Sequence, residues 1–409
     1  MELACRLAAS LLFLVAPAFA PAIASAQMEG KTVRIGVLTD ESSVFSDGGG
    51  LGSVDAARMA IEDYGGKVSG AKIELLDADH LNKPDVGSAI AREWFDQKGV
   101  DMVTDLQNSA IALAVSDLAK TKNKVAMVTG AAGLALTGSA CTPNTVHWVW
   151  DTYGNANAVA LPLLKKGLDK WFFIAADYSF GAELTQQAST IVERNGGKNL
   201  GVVRHPLNTS DFASYILQAQ SSGANLIALA NGGQDNAQAI KQAHEFGIGG
   251  NGNTAIVGLA TTLGDIHALG LDVAQGLYVA EGFYWDLNDG TRAWSQRWSK
   301  RNKNRMPTMI QAGAYSATLH YLKAVEAAKS TDGSIVVEQM KKMPGQDDLF
   351  GKGQVRQDGR YLHDMYLFVV KTPQESNGGW DYERLISTIP AAQAFRPMDQ
   401  GGCYLVTAK

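Results

Sequence analysis

The chain has 409 residues, of which 46% are hydrophobic and 19% charged, and its formal net charge is −5. That length fits two domains of ordinary size, and so much apolar sequence excludes a disordered or fibrous chain. The mildly acidic balance gives no electrostatic footprint for nucleic acid or for an anionic membrane surface, so no nucleic-acid partner is expected.

Residues 1–26 read as a leader. Arg6 supplies a thin basic start, Leu7 to Ala20 is almost unbroken apolar sequence, and Ala24-Ser25-Ala26 is a small-x-small cleavage pattern. The apolar run is too short to span a bilayer and lacks a stop-transfer flank. An exported chain beginning near Gln27 is therefore expected. Of the three cysteines, Cys5 would leave with the leader, so Cys141 and Cys403 remain in an oxidising compartment. A disulfide between them is predicted, tying a strand-like segment from Cys403 to Thr407 to the middle of the chain. Two buried thiols are the alternative, and no metal site follows from so few cysteines.

Beyond the leader, short β-rich runs alternate with helical patterns. Strands are predicted at Val33–Leu38, Lys72–Leu76, Asp101–Thr104 and Val125–Val128, with helices at Leu51–Tyr64, Pro84–Gln97 and Ser109–Lys120 between them. Asn82-Lys83-Pro84-Asp85 is a helix start, with proline at the first turn. After Trp148 the rhythm begins again. Strands are predicted at Trp171–Ala175, Gly201–Arg204, Leu226–Ala230, Thr254–Val257 and Gly276–Ala280, and helices at Asn155–Lys166, Gly181–Asn195, Asp211–Ser221 and Asn236–Phe246.

Continuous apolar strands alternating with helices imply parallel sheets covered on both faces. Two such rhythms imply an α/β protein of two doubly wound lobes. The helical stretch Thr308–Lys329 and the strand Met365–Val370 must then rejoin one lobe or the other. No Pro-rich linker separates the halves, so several crossovers are expected to join them.

No enzymatic constellation stands up: there is no Gly-x-Ser-x-Gly, His-Glu-x-x-His, Cys-x-x-Cys or Walker loop. Gly48-Gly49-Gly50-Leu51-Gly52-Ser53 lacks the third glycine of a dinucleotide turn and lies too far from the first strand, so it reads as a mobile loop at a cleft edge. Asp77, Asp79 and His80 could ligate a metal, but a strand end with a polar turn explains them as well. The seven histidines are scattered. Neither an enzyme nor a cofactor is expected.

Ligands of doubly wound sheets bind beyond the carboxyl ends of the strands. After the first strand come Thr39, Asp40, Ser42, Ser43 and Phe45. Gln107, Asn108 and Ser109 follow the third, and Thr129-Gly130-Ala131-Ala132-Gly133 the fourth. Ser109 at a helix start offers a hydroxyl beside free N–H groups, an anion site, and Gly130 to Gly133 let the backbone approach a ligand. In the second half, Trp148, Trp150 and Tyr153 bracket the crossover. Tyr178 and Phe180 follow the Trp171–Ala175 strand, Asn231, Gly232, Gly233 and Asp235 follow Leu226–Ala230, and Tyr284 and Trp285 follow the strand ending at Ala280. Aromatic walls with a few polar tips suit a small flat ligand.

The opening Val33-Arg34-Ile35-Gly36-Val37-Leu38 and the segment Ser109…Ser116-Asp117-Leu118 resemble the leucine/isoleucine/valine-binding type of periplasmic substrate-binding protein. So do Met127-Val128-Thr129-Gly130-Ala131-Ala132 and Asp177-Tyr178-Ser179-Phe180-Gly181. The resemblance covers nearly all of the mature chain. It implies a periplasmic, monomeric protein of two lobes joined by three crossings, 27–150 plus 282–360 and 151–281 plus 361–409. These lobes would close over a small-molecule ligand and deliver it to the membrane permease of an ABC importer.

Carried over by residue, Ser109 and the Ala131 backbone correspond to the anchor for a ligand carboxylate. Gly133 stands where amino-acid binders carry a threonine, and Phe180 where they carry a tyrosine. The segment Ile256-Val257-Gly258-Leu259-Ala260-Thr261 lacks the glutamate that receives a ligand ammonium, and a buried ammonium without a counter-charge costs about a few kcal/mol at least. An amino acid is thus a poor fit unless Asp235 or Glu281 substitutes. An aromatic or other unsaturated carboxylate is expected, since Ala78-Asp79-His80-x-Asn82-Lys83-Pro84-Asp85 and Asp151-Thr152-Tyr153 look like the aromatic-acid members. The expected ligand-binding set is Ser109, Ala131, Gly133, Asn108, Trp150, Tyr153, Tyr178, Phe180, Asn231, Asp235 and Tyr284. The alternatives are a branched-chain amino-acid, amide or urea binder, a periplasmic sensor for a membrane receptor, and an exported hydrolase.

Overall fold

The computed structural model describes Met28, residues 30–250 and residues 252–406. The expected leader, residues 1–26, and Thr407 lie outside the described residues.

The first sheet takes β1 (Thr32–Thr39), β2 (Lys67–Val68), β3 (Ala71–Asp79), β4 (Met102–Asp105), β5 (Val125–Val128) and β6 (Thr145–His147) in the order β2-β3-β1-β4-β5-β6. The second begins with β7 (Lys170–Ala176), β8 (Lys198–His205), β9 (Leu226–Ala230), β10 (Ala255–Gly258) and β11 (Tyr278–Glu281). A small antiparallel sheet follows, β12 (Pro344–Asp347), β13 (Gly351–Val355) and β14 (Tyr361–Leu362). Then β15 (Met365–Val370) and β16 (Glu383–Ile389) complete the second sheet as β16-β15-β11-β10-β9-β7-β8.

The strands β1, β3, β4, β5 and β6 pair in parallel, as do β7 to β11. The expectation of wholly parallel sheets needs correction at their edges. There β2 pairs antiparallel with β3, and β15 antiparallel with both β11 and β16. Antiparallel partners need no crossover helix. Ser69 and Gly70, both at positive φ, turn β2 directly into β3 in the way hairpin turns favour.

The helix Met309–Ala328 packs on the helix Gly50–Asp63 in the first lobe, and its apolar face joins Trp148, Trp294 and Tyr361 in one core. The strand Met365–Val370 joins the second sheet. Helix starts explain themselves locally. Pro84 opens Pro84–Glu93, Asp151 accepts the Gly154 amide at 2.7 Å to cap Thr152–Lys165, and Thr308 with Gln311 forms a reciprocal cap. The predicted helix Pro84–Gln97 instead changes to a π turn at Trp94, whose ring occupies the space a Cβ on Gly36 would take.

Two tail expectations are corrected. Cys403 to Val406 forms a turn, not a strand. The tail was also expected to stay with the second lobe, but Arg396 donates to the Leu134 carbonyl and Cys403 is bonded to Cys141. After Trp148–Asp151, Glu281–Tyr284 and Arg360–Asp364, the chain therefore crosses between lobes once more near Phe395.

Buried polar groups knot the crossings. Arg360 is fully buried and donates to the carbonyls of Trp148 (2.9 Å), Trp150 (3.0 Å) and Tyr361 (3.0 Å), and lies 3.4 Å from Asp151 Oδ2. His363 Nε2 meets the Val149 carbonyl at 2.5 Å.

Candidate functional site

The order of each sheet reverses beside its first strand: β3 and β4 flank β1, and β8 and β9 flank β7. A crevice opens at such points. Here the two crevices face one another and enclose a cavity of about 570 Å³. The segments Ser43–Gly48, Gln107–Ala110 and Gly130–Ala132 line it from one side, with Trp150 at the crossing. Tyr178–Phe180, Gly232–Gln234 and the turn around Thr262–Asp265 line it from the other.

Among the helices that begin on this wall are Ser109–Lys122, Ser179–Arg194 and Gly233–Glu245. First-turn N–H groups have no partner within their helix, so each start presents donors and a partial positive charge. Ser109 does not cap its own helix. Asn108 does, its Oδ1 accepting the Ala110 amide at 2.9 Å while Nδ2 donates to Asn82 Oδ1 at 2.7 Å. The Asn108 side chain is thus occupied, and Ser109, which caps nothing in its own helix, is among the residues that line the cavity.

Asp40 shapes the first loop by accepting the Ser43 amide (2.8 Å), the Ser43 hydroxyl (2.5 Å) and the Phe45 amide (3.0 Å). Asp79 accepts from Glu41 N, Ser42 Oγ and Leu81 N, so it structures the same loop. Among the described residues no group of three acidic, histidine or cysteine side chains is placed to hold a metal ion. The stretch Gly48–Ser53 is corrected from a mobile loop to a packed helix start. A Cβ on Gly49 would lie 2.6 Å from Asp105 Oδ2, and one on Gly52 would lie 2.8 Å from the Trp298 ring.

Of the expected residues, Asn108, Ser109, Ala131, Trp150, Tyr178 and Phe180 come together on the wall. Trp150 meets Phe180 edge-on across the lobes, centroids 6.2 Å apart, and Phe180 lies 5.8 Å from Tyr178. The Trp150 indole N–H is buried and has no partner among the described residues. Burial and nearby Asp235 push the Tyr178 phenol up to about 12, so it is a neutral donor.

The other expected residues stand elsewhere. Gly133 backs Ser109, since a Cβ there would touch Ser109 Oγ at 3.0 Å. Tyr153 packs against the second-lobe core. Asn231 is buried against His205 at 3.2 Å, and Asp235 accepts the Asn208 amide at 3.1 Å. Tyr284 turns inward, where its oxygen accepts the amides of Tyr382 and Glu383 from the neighbouring strand end.

No lysine, arginine or histidine lines the cavity among the described residues. Two acids do. Asp47 pairs with Arg305 at 2.8 Å, and Asp265, missed in the sequence, has its Oδ2 in a reciprocal cap with Thr262. Burial raises the Asp265 carboxyl to about 6. Thr262-Leu263-Gly264-Asp265, directly after a strand, was the signal available for it. Glu281 is off the wall and buried near Glu383; burial raises both carboxyls, and repulsion from Glu383 and Asp265 adds to the rise at Glu281.

The lobes touch at the cavity mouth. Gly233, at φ 61°, brings its backbone so close that a Cβ there would lie 3.2 Å from the Val44 carbonyl.

Two doubly wound lobes closed on a cavity at their facing strand ends define a ligand-capture protein of the type I periplasmic binding fold. The chain belongs to the periplasmic binding protein family, whose model matches residues 32–379. A periplasmic binding protein from Burkholderia mallei is 44% identical, with TM-score 0.87, covering 92% of this chain and 100% of that one. A branched chain amino acid ABC transporter periplasmic ligand-binding protein from Burkholderia xenovorans is 40% identical, with TM-score 0.86, covering 91% and 99%. A solute binding protein of an ABC transporter from Rhodopseudomonas palustris, in complex with 3,4-dihydroxy benzoic acid, shares the fold at 18% identity, with TM-score 0.78, covering 88% and 98%. No curated protein matches the chain. The resemblance to the leucine/isoleucine/valine-binding type drawn from Val33–Leu38 and Met127–Ala132 holds.

Proposed function

We propose that this protein is the periplasmic, non-enzymatic capture component of an ABC importer, and that it delivers a flat carboxylic acid with an aromatic or otherwise unsaturated body to a membrane permease. The observation that carries the reading is the pairing, around one cavity, of the Ser109 helix start on one lobe with the Trp150–Phe180–Tyr178 aromatics at the crossing and on the other. Backbone donors and a hydroxyl suit a carboxylate, and ring faces suit a flat body. Asp235 and Glu281, the two acids that could have received an ammonium, both stand off the wall.

Asp265 supports a second reading. It is on the wall, and an amino-acid ligand could place its ammonium there. A thermal-shift screen of protein unfolded and refolded to strip carried-over ligand separates the two. A ligand at a hundred times its Kd adds about 2.7 kcal/mol, a shift of a few degrees. Shifts from benzoates, cinnamates and phenylacetates alone are expected; shifts from branched-chain amino acids alone would replace the first reading by the second.

Ser109→Ala should weaken carboxylate binding by about 1–3 kcal/mol, the value of a charge-assisted hydrogen bond. Unchanged affinity in titration calorimetry would remove Ser109 from the anchor. Trp150→Ala should cost more for ring-bearing acids than for aliphatic acids of equal charge. Equal losses would make Trp150 a packing residue only.

A further inference from the structure

Asp105 ends β4 and is fully buried. Its Oδ2 accepts the Thr39 hydroxyl at 2.7 Å, and the Thr39 oxygen in turn accepts the Gly50 amide at 2.9 Å. Its main-chain carbonyl accepts the amides of Thr129 and Gly130. The residue therefore joins the turns after β1, β4 and β5, all three of which supply cavity wall. The fit admits nothing larger than glycine in front of it, since a Cβ on Gly130 would lie 2.5 Å from Oδ1. Among the described residues Oδ1 accepts no hydrogen bond of ordinary geometry, and the Ser53 hydroxyl, likewise buried without one, is the further polar group turned toward this carboxyl.

The backbone here is strained. Asp105, Leu106 and Asn108 have φ of 74°, 59° and 75°, a region that side-chain-bearing residues avoid and that persists only where surroundings over-determine it. That strained turn is what presents Ser109.

No cation offsets the carboxyl among the described residues. The β1 turn brings Asp40, a like charge; the helix Gly50–Asp63 brings the Ser53 hydroxyl; the residue's own turn brings Gln107; the β5 turn brings only Thr129 and Gly130. Burial, with a smaller push from Asp40, outweighs the opposing Thr39 and Ser53 hydroxyls and raises the carboxyl to about 7.

We propose that Asp105 is the positioning residue of the anion anchor, and that it holds a proton taken from solvent whenever a carboxylate is bound in front of Gly130. The inference rests on the reading of the cavity as a carboxylate site. An ionised Asp105 would set a second buried negative charge directly behind the wall that receives the ligand anion. Bound anion therefore favours the acid form, so capture takes up protons wherever the free protein has lost them.

Calorimetric titration with benzoate, in buffers of different ionisation enthalpy, tests this on the mature protein and on Asp105→Asn. The wild type should take up protons above about pH 7 and lose up to about tenfold in affinity per pH unit there. Asp105→Asn should lose the uptake and the fall in affinity centred near pH 7, keeping only the contribution of Asp265 on the cavity wall around pH 6. Thr39→Val removes a donor that favours the charged form, so its falling limb should move to higher pH. A wild type whose profile matches that of Asp105→Asn overturns the proposal. If neither protein binds benzoate or any other carboxylate, the carboxylate reading fails, and the stripped proteins still decide the protonation of Asp105. Asp105→Asn should then gain melting temperature relative to wild type as pH rises from 5 to 8, and a constant difference overturns that step as well.

Discussion

Replacing Arg360 by methionine is expected to destabilise the protein by about 3–5 kcal/mol, the cost of removing one partner from a buried ion pair. Asp151, itself buried, would lose the only guanidinium within reach among the described residues, and the carbonyls of Trp148, Trp150 and Tyr361 would lose their donor. The packing partner would go too, because the guanidinium lies 4.0 Å over the Phe395 ring. Burial already lowers Arg360 to about 10, so it stays charged at neutral pH while being held expensively. Denaturant unfolding of wild type and variant measures the loss. Adding Asp151→Asn to the variant should recover part of it, since that change removes the orphaned charge, although Asp151 also caps Thr152–Lys165. A loss below about 1 kcal/mol would mean that water reaches the knot and that the crossings are held by something else. Ligand affinity should fall as well, because Arg360 grips the carbonyl of Trp150, whose ring stands on the cavity wall.

How much of this was legible depends on the range of the interaction. Each β-rich run predicted in the first half falls on an observed strand, because a buried parallel strand is written locally as continuous apolar sequence. Ser109 and Phe180 were legible for a related reason: they follow strand ends, and strand ends are where a doubly wound sheet exposes its ligand site, while Trp150 was legible as one of the aromatics bracketing the crossover. Tyr284 obeyed the same rule and failed it. Its hydroxyl finds the amides of Tyr382 and Glu383, almost a hundred residues away, through antiparallel strands whose pairing has no local signature. Asp265 failed in the opposite way, since Thr262 and Asp265 read as an ordinary helix cap and only the closed cleft brings them onto the cavity wall. Arg360 carries no sequence signal at all: an arginine between Gly359 and Tyr361 looks like surface until three backbone carbonyls are seen to surround it.

Removing the disulfide with Cys141→Ser and Cys403→Ser is expected to cost about 2–5 kcal/mol, the range for native bridges. The bonded residues are 262 apart in sequence, and long closed loops restrict the unfolded chain most. The bridge also does something the chain length alone does not require. Phe395 lies in the second-lobe core, whereas Arg396 donates to Leu134 and Cys403 holds Cys141, so the tail straps one lobe to the other. Without the bond the strap still has Arg396, the Arg356 contact to its carbonyl, packing of Gly401 against Thr137 and the Lys120 ammonium over the Tyr404 ring. Two effects should therefore separate. Unfolding of the whole chain should shift to lower denaturant, and hydrogen exchange should rise first in Leu134–Thr142 and in residues 396–406, before the sheets open. If exchange in those segments is unchanged while global stability falls, the bridge acts on the unfolded chain alone. If exchange rises and ligand affinity falls with it, the strap also sets how far the lobes part, because Leu134–Thr137 begins two residues beyond Ala132 on the cavity wall.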